Sequence, residues 1–380
     1  MIKHLAWLAI LVSSNAFADP IHFGAAQGAA PPQPDVGAQV PPPAATSSTL
    51  PAGIVVNQAP PAGFNPLTAT DAQLSAYGYP PRPVNSPDAL RRWSSMVSAD
   101  KERINPILQS TNRRHGPMIK APGGTPITTQ GQQNATANTT PSTSTNWSGF
   151  ADVFSGQASQ TFKSANSYIY GQWMIPLVKQ AGCSGGWKYS SAWVGFDGFN
   201  SNDVLQAGSD ADAYCSGSTT ATNYDVWFEW FPNYSTVIQN FTIVPGDVIA
   251  AEVVYLGGSV QGGAYIVNYR SGQSVSVAFN PPAGTVFTGN SAEWIVEAPT
   301  INGGQSLLPN YVAVPWNYAY SYSSSTGQFY VPEYAPGGTA YSITMTDSSN
   351  NAISYCMHAY TYMMWCYPTG SAANSSIVLN

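Results

Sequence analysis

Past Asn146 the chain is written in short runs whose large apolar residues alternate with polar or acidic ones, bounded by Gly, Asn, Ser and Pro clusters. A period of two places neighbouring side chains on opposite faces of a strand, which confines this stretch to β structure. Tyr265 to Tyr269, a turn, and Ser274 to Phe279 read as a hairpin; Tyr341 to Thr346 followed by Asp347 to Asn351 read as a strand and turn. The expected class is all-β, two packed antiparallel sheets. No repeat of solenoid or propeller period occurs.

Three runs show more than a core pattern. In Ser191 to Asp197, Ala192, Val194 and Phe196 share one face, with Trp193 and Asp197 on the other. In Tyr224 to Phe231, Val226, Phe228 and Trp230 oppose Trp227, Glu229 and Phe231. In Ala292 to Glu297, Ala292, Trp294 and Val296 oppose Glu293, Ile295 and Glu297. A solvent face would carry Lys, Thr and Ser; these second faces mix acids with bulky apolar groups. Together they predict an aromatic groove lined with carboxylates whose pKa values are perturbed by crowding.

Upstream, Lys3 and His4 precede the apolar run Leu5 to Val12 and the small residues of Ala16-Phe17-Ala18, so residues 1–18 read as a signal peptide. Residues 19–66 are rich in Pro and Ala and read as a disordered leader. Residues 67–121 form a basic segment. Within it Ser86 as N-cap, Pro87 at the first helical position and Leu90, Trp93, Met96 and Val97 at helical spacing predict one helix over about 87–107. Residues 122–145 read as a linker holding a processing site, and 146–380 as the β domain.

Charge divides the chain at the same place. Nine of the 13 Lys and Arg lie at or before Lys120; beyond it four bases face 13 acids, a formal charge of −9, whereas residues 19–120 carry +2. A domain so poor in bases repels itself little when its carboxylates are protonated, which suits acid. The same scarcity excludes a nucleic-acid footprint. No apolar stretch reaches the roughly 20 residues of a membrane span, so an exported, monomeric protein free of the membrane is expected.

The inventory removes the commoner chemistries. His358 is the only histidine after His115, and no Gly-x-Ser-x-Gly elbow exists to partner it. Neither HExxH nor paired CxxC is present, and Asp210 with Asp212 gives only a fragment of a calcium loop, so neither metal nor cofactor is expected. Four cysteines in an exported chain predict two disulfides; Cys183 with Cys215 and Cys356 with Cys366 is one of three connectivities. Chemistry is left to carboxylates, amides and aromatic rings.

Four segments, in order, resemble the glutamic peptidase family, the eqolisins: Asn146-Trp147-Ser148-Gly149; Trp193 to Gly198; Val204 to Asp210 with Tyr224 to Pro232; and Ala292 to Glu297. The resemblance implies a concanavalin A-like, lectin-like sandwich of two curved antiparallel sheets with the site on a concave face. It also implies Gln206 and Glu293 as the catalytic pair, with Trp147, Trp193, Asp197, Asp210, Trp227, Glu229 and Phe231 around them. Ala207, Phe228 and Phe231 depart from residues common in the family, which bears on substrate preference more than on activity.

Such a pair makes chemical sense in acid, where a carboxylate base stays partly ionised to about pH 4 while a histidine base is lost. The resemblance further implies an endopeptidase of protein or peptide substrates, insensitive to pepstatin. The basic segment, through its helix or flanking extended chain, is expected to act as an intramolecular inhibitor or as a folding aid. A carbohydrate-binding or carbohydrate-hydrolysing sandwich, or a non-catalytic binding module, remain alternatives at this point.

Overall fold

The computed structural model describes residues 50–123, 139–180, 182–183 and 185–369; the signal peptide, most of the leader and the centre of the linker lie outside them. The principal strands are β1 (Trp147–Val153), β2 (Ser167–Met174), β3 (Ser191–Phe196), β4 (Val204–Ser216), β5 (Thr219–Phe231), β6 (Val248–Tyr255) and β7 (Gly262–Asn268). They continue with β8 (Gln273–Phe279), β9 (Ser291–Glu297), β10 (Val314–Ser323), β11 (Thr339–Thr346), β12 (Ala352–Tyr360) and β13 (Met363–Pro368).

They form two antiparallel layers. The front sheet runs β5-β4-β3-β9-β1-β11. The back sheet runs β8-β7-β6-β2-β10-β13. The hairpin of β12 and β13 links them, because β12 also pairs with β11. This is the all-β sandwich expected from the alternating runs.

The core faces are the ones the alternation assigned. Val194 and Phe196 of β3, Val226, Phe228 and Trp230 of β5, and Trp294 and Val296 of β9 interlock with Ile169, Trp173, Ile249, Val253, Ile266 and Val277 of the back sheet. Each fully buried large side chain contributes about 1.5–3 kcal/mol relative to its exposed state. Disulfides Cys183–Cys215 and Cys356–Cys366 fasten the edge of β4 and the β12–β13 hairpin.

Two expectations about the basic segment change. The helix runs Pro87–Ala99, with Ser86 Oγ accepting from the Ala89 N–H at 3.2 Å, and stops short of Ile107. Pro106 disfavours helical backbone at Asn105. Beyond Ala99, Lys101, Glu102 and Ile104 donate their N–H groups to Gly272 and Ser274 of the back sheet instead of to a helical turn. A second helix, Asp71–Ala76, begins with a capping box of Thr70 and Gln73. In the described part of the leader, Val55–Val56 pair with β8, giving edge hydrogen bonds to a segment otherwise too poor in apolar residues to fold.

Both helices cover the outer face of the back sheet, where Leu74, Trp93, Met96 and Val97 pack with Tyr168, Tyr170, Tyr265 and Tyr320. Leu108–Ser110 then reaches the front sheet, pairing with Thr236–Ile238 beside β5. The end of the expected linker, Thr140–Ser144, is a strand parallel to β11. His358 lies on the β12–β13 hairpin, 2.8 Å from Glu333. No helix among the described residues is long and apolar enough to cross a membrane.

Candidate active site

Gln206 on β4 and Glu293 on β9 are both paired with Gly195 of β3, so they occupy one cross-strand row and face away from the sandwich core. Gly195 has to lack a side chain: a Cβ there would lie 2.8 Å from Gln206 Cβ and 2.9 Å from the Leu205 carbonyl oxygen. The row is walled by Trp147, Trp193, Trp227 and Ile295, with Met118 and Phe231 packed against them. Ala207 and Phe228 face the core instead, so those two departures from the family lie outside the groove.

Gln206 and Glu293 are completely buried, and the chain from Arg113 to Ile119 runs along the groove. Gln206 Nε2 donates to the main-chain carbonyl oxygen of His115 at 2.5 Å. The His115 N–H reaches both oxygens of Glu229, its ring makes hydrogen bonds with Glu229 at 2.8 Å and Ser191 at 2.9 Å, and it stacks flat on Trp227 with centroids 3.5 Å apart. Downstream, the Gly116 N–H donates to Glu297 at 3.2 Å, and Trp147 Nε1 donates to the Gly116 carbonyl at 3.1 Å. Asn146 holds Pro117 and Ile119, while the Met118 N–H donates to Gly198. Trp193 Nε1 fixes Glu297 at 2.8 Å.

Arg113 supplies the charge match. Its buried guanidinium forms ion pairs with Asp210 and, at 2.6 Å, with Asp212, near Asp225 and 5.0 Å from the Tyr189 ring centroid. Asp210 and Asp212 therefore serve a guanidinium rather than the fragment of a calcium loop. Other arginines of the segment have partners of their own: Arg114 lies over Tyr234, Arg103 pairs with Asp100, and Arg92 lies over Tyr318. The extended chain fills the groove while the helices pack on the opposite sheet.

Burial dominates the electrostatics. It pushes Glu293 well above the usual carboxylate range, with Asp197, Asp152 and Asp203 adding to the shift and Ser291 opposing it. Burial raises Glu229 to about 7 and lowers His115 to about 4, so the hydrogen-bonded pair holds one proton between those values. Asp212 and Asp225 are raised to about 8 by burial against the pull of Arg113. Asp197, at a φ of 70°, accepts from the N–H groups of Thr288, Gly289 and Asn290 and shapes the loop entering β9; burial still lifts it to about 7.

Of the residues singled out in the sequence, the structure gathers Gln206, Trp147, Trp193, Asp210, Trp227, Glu229 and Phe231 against one extended segment. Glu293 stands in the Gln206 row, and Asp197 lies behind it. His115, Arg113, Ser191, Asp225 and Glu297 complete the arrangement. Glu297 already stood on the groove face of its strand, whereas Arg113 and His115 lie at the end of the basic segment with only its charge to mark them. Among the described residues no group of His, Cys, Asp and Glu is placed to hold a metal ion.

A sequence model of the Peptidase A4 family matches residues 145–358, more than half the chain and all of β1 to β11. The chain belongs to this family. The A4 peptidases are the glutamic peptidases, so this chain is a peptidase, a hydrolase of peptide bonds, and the groove is where such chemistry is sought. It is 30% identical over 226 residues to aspergillopepsin-2 of Aspergillus niger, covering 55% of this chain and 73% of that protein. It is 34% identical over 108 residues to scytalidopepsin B of Scytalidium lignicola, covering 28% of this chain and 38% of that relative. A crystal structure of scytalido-glutamic peptidase with a transition-state analog inhibitor aligns at a TM-score of 0.47 and 24% identity, over 59% of this chain and 98% of that one.

Proposed function

We propose that this peptidase is an exported, acid-active endopeptidase made as a precursor, in which Glu293 is the general base and acid and Gln206 binds the oxyanion. What carries the reading is one contact: Gln206, in the row it shares with Glu293, donates its amide to the carbonyl oxygen of an extended peptide segment in the groove. A donor aimed at a peptide carbonyl oxygen is what stabilises the tetrahedral intermediate of hydrolysis. An amide keeps its protons at any pH, so this function survives in acid.

Glu293 takes a proton from the attacking water, holds it through the intermediate, and returns it to the leaving nitrogen. Burial favours its neutral form, so the fraction that is ionised and able to accept a proton rises as the groove opens and the carboxyl is solvated. Among the described residues, the imidazole in the groove is that of His115, which belongs to the covering segment. That segment acts as an intramolecular inhibitor in the precursor, anchored by Arg113 among the aspartates. Export rests on the N-terminal signal sequence, and acid activity on the scarcity of bases after Lys120.

The test is proteolysis of denatured casein by the acidified protein, with pepstatin present and soluble glycans in parallel. Glu293→Gln and Gln206→Ala are each expected to leave a folded protein whose acid proteolysis is reduced by about 10²-fold or more. Near-normal peptide release by either variant, or glycan breakdown without peptide release, overturns the proposal.

A further inference from the structure

We propose that the precursor's activating cut is made by its own active site at the His115–Gly116 peptide bond. This rests on the reading of Gln206 and Glu293 given above, and it places the cut upstream of residues 122–145, the linker expected to hold the processing site.

The bond is gripped on both sides. Gln206 holds the His115 carbonyl oxygen, the atom on which negative charge develops during hydrolysis. On the acyl side, the His115 N–H is held by Glu229 and its ring by Trp227 and Ser191. On the leaving side, the Gly116 N–H is held by Glu297 and the Gly116 carbonyl by Trp147. Orientation of this kind removes much of the entropic cost of reaction. The leaving residue also fits because it is glycine: a Cβ at Gly116 would lie 3.3 Å from the Phe231 ring, tighter than ordinary contact.

In the reaction the oxygen of a water bonds to the His115 carbonyl carbon as Glu293 accepts a water proton. Gln206 stabilises the oxyanion. Glu293 then returns the proton to the Gly116 nitrogen as the carbon–nitrogen bond breaks, leaving a carboxyl at His115 and an amine at Gly116. Because Gln206 and Glu293 are fully buried and the segment occupies Gln206, the water enters as the segment loosens. A bond so enclosed is cut in its own molecule faster than in another.

Full-length precursor purified at neutral pH and then acidified to about pH 4, where carboxylates are largely protonated, gives the test, with fragments read by intact mass and N-terminal sequencing. The expected first products end at His115 and begin at Gly116, and appear at a rate independent of protein concentration. Gly116→Pro, which removes the N–H held by Glu297, is expected to abolish this cut. Gln206→Ala precursor mixed with a trace of wild-type protein is expected to stay intact at this bond. If wild-type protein digests added casein while the bond survives, or if Gln206→Ala precursor is cut there in trans at the wild-type rate, self-cleavage at this site is wrong and the peptidase reading stands. Absence of both self-cleavage and casein digestion overturns the two together.

Discussion

Gln206 and Glu293 sit in one cross-strand row with Gly195 between them. The glycine is a spacer that leaves the two side chains room, and its main chain is too close to Leu205 to yield. Gly195→Ala is therefore expected to displace Gln206 and lower kcat/KM for acid proteolysis by about 10²-fold, the cost of a misplacement near 1 Å. Overpacking adds about 1–3 kcal/mol of destabilisation. Steady-state kinetics with a thermal melt check both, and an undiminished kcat/KM in a folded variant contradicts the geometry.

Arg113 is the base that faces Asp210, Asp212 and Asp225 in the groove. Arg113→Gln leaves buried carboxyls without their cation, a loss that reaches about 3–5 kcal/mol when the carboxyls stay charged and less when they take up protons. The expected result at neutral pH is a looser segment: trypsin cleaves after Arg114 at least about tenfold faster than in the wild type. Equal rates would show that the anchor lies elsewhere.

The protein should be less stable in mild base. Glu229 and Asp197 are raised to about 7, and Asp212 and Asp225 to about 8, chiefly by burial. Folding binds their protons more tightly, so their stabilising contribution is full below the unfolded carboxylate range and is lost as pH climbs through about 7 to 8. His115, lowered to about 4, opposes this only as pH falls below about 6.5. Thermal melts are expected to show Tm falling by roughly 5 °C or more between about pH 6 and about pH 8.5.

Glu252 offers a cleaner case. It is completely buried under the tyrosine-rich face of the back sheet, and its carboxyl oxygens have no hydrogen-bond partner among the described residues. Burial raises it well above the usual range. Glu252→Gln, neutral at every pH, is expected to raise Tm at about pH 8 and leave it nearly unchanged at about pH 4, where the glutamate is itself neutral. A pH-independent change would mean that Glu252 is solvated.

The parts of this architecture that follow from local pattern were legible. Alternation alone put Val194, Phe228 and Trp294 in the core and Trp193, Glu229 and Glu293 on the opposite face, since a strand offers only two faces. What pattern could not supply was partnership between residues far apart in the chain, 91 positions in the case of His115 and Gln206. Nothing near His115 announces that its carbonyl meets Gln206 or that its ring meets Trp227. The helix boundary failed for a related reason: Leu90 to Val97 is periodic, but hydrogen bonds from Lys101, Glu102 and Ile104 to the back sheet redirect the chain. Asp197 lies beside an alternating run, and its positive φ turns it toward three N–H groups of the 288–290 loop.

The groove segment is spliced into the fold at both ends, through Leu108–Ser110 on one side and Thr140–Ser144 on the other. Tethering of this sort gives a ligand an effective concentration in the millimolar range, so even modest intrinsic affinity keeps it bound. A single break in the tether turns that intramolecular equilibrium into ordinary dissociation, with dilution favouring release. Occupancy of the groove then depends on chain connectivity as much as on the contacts within it.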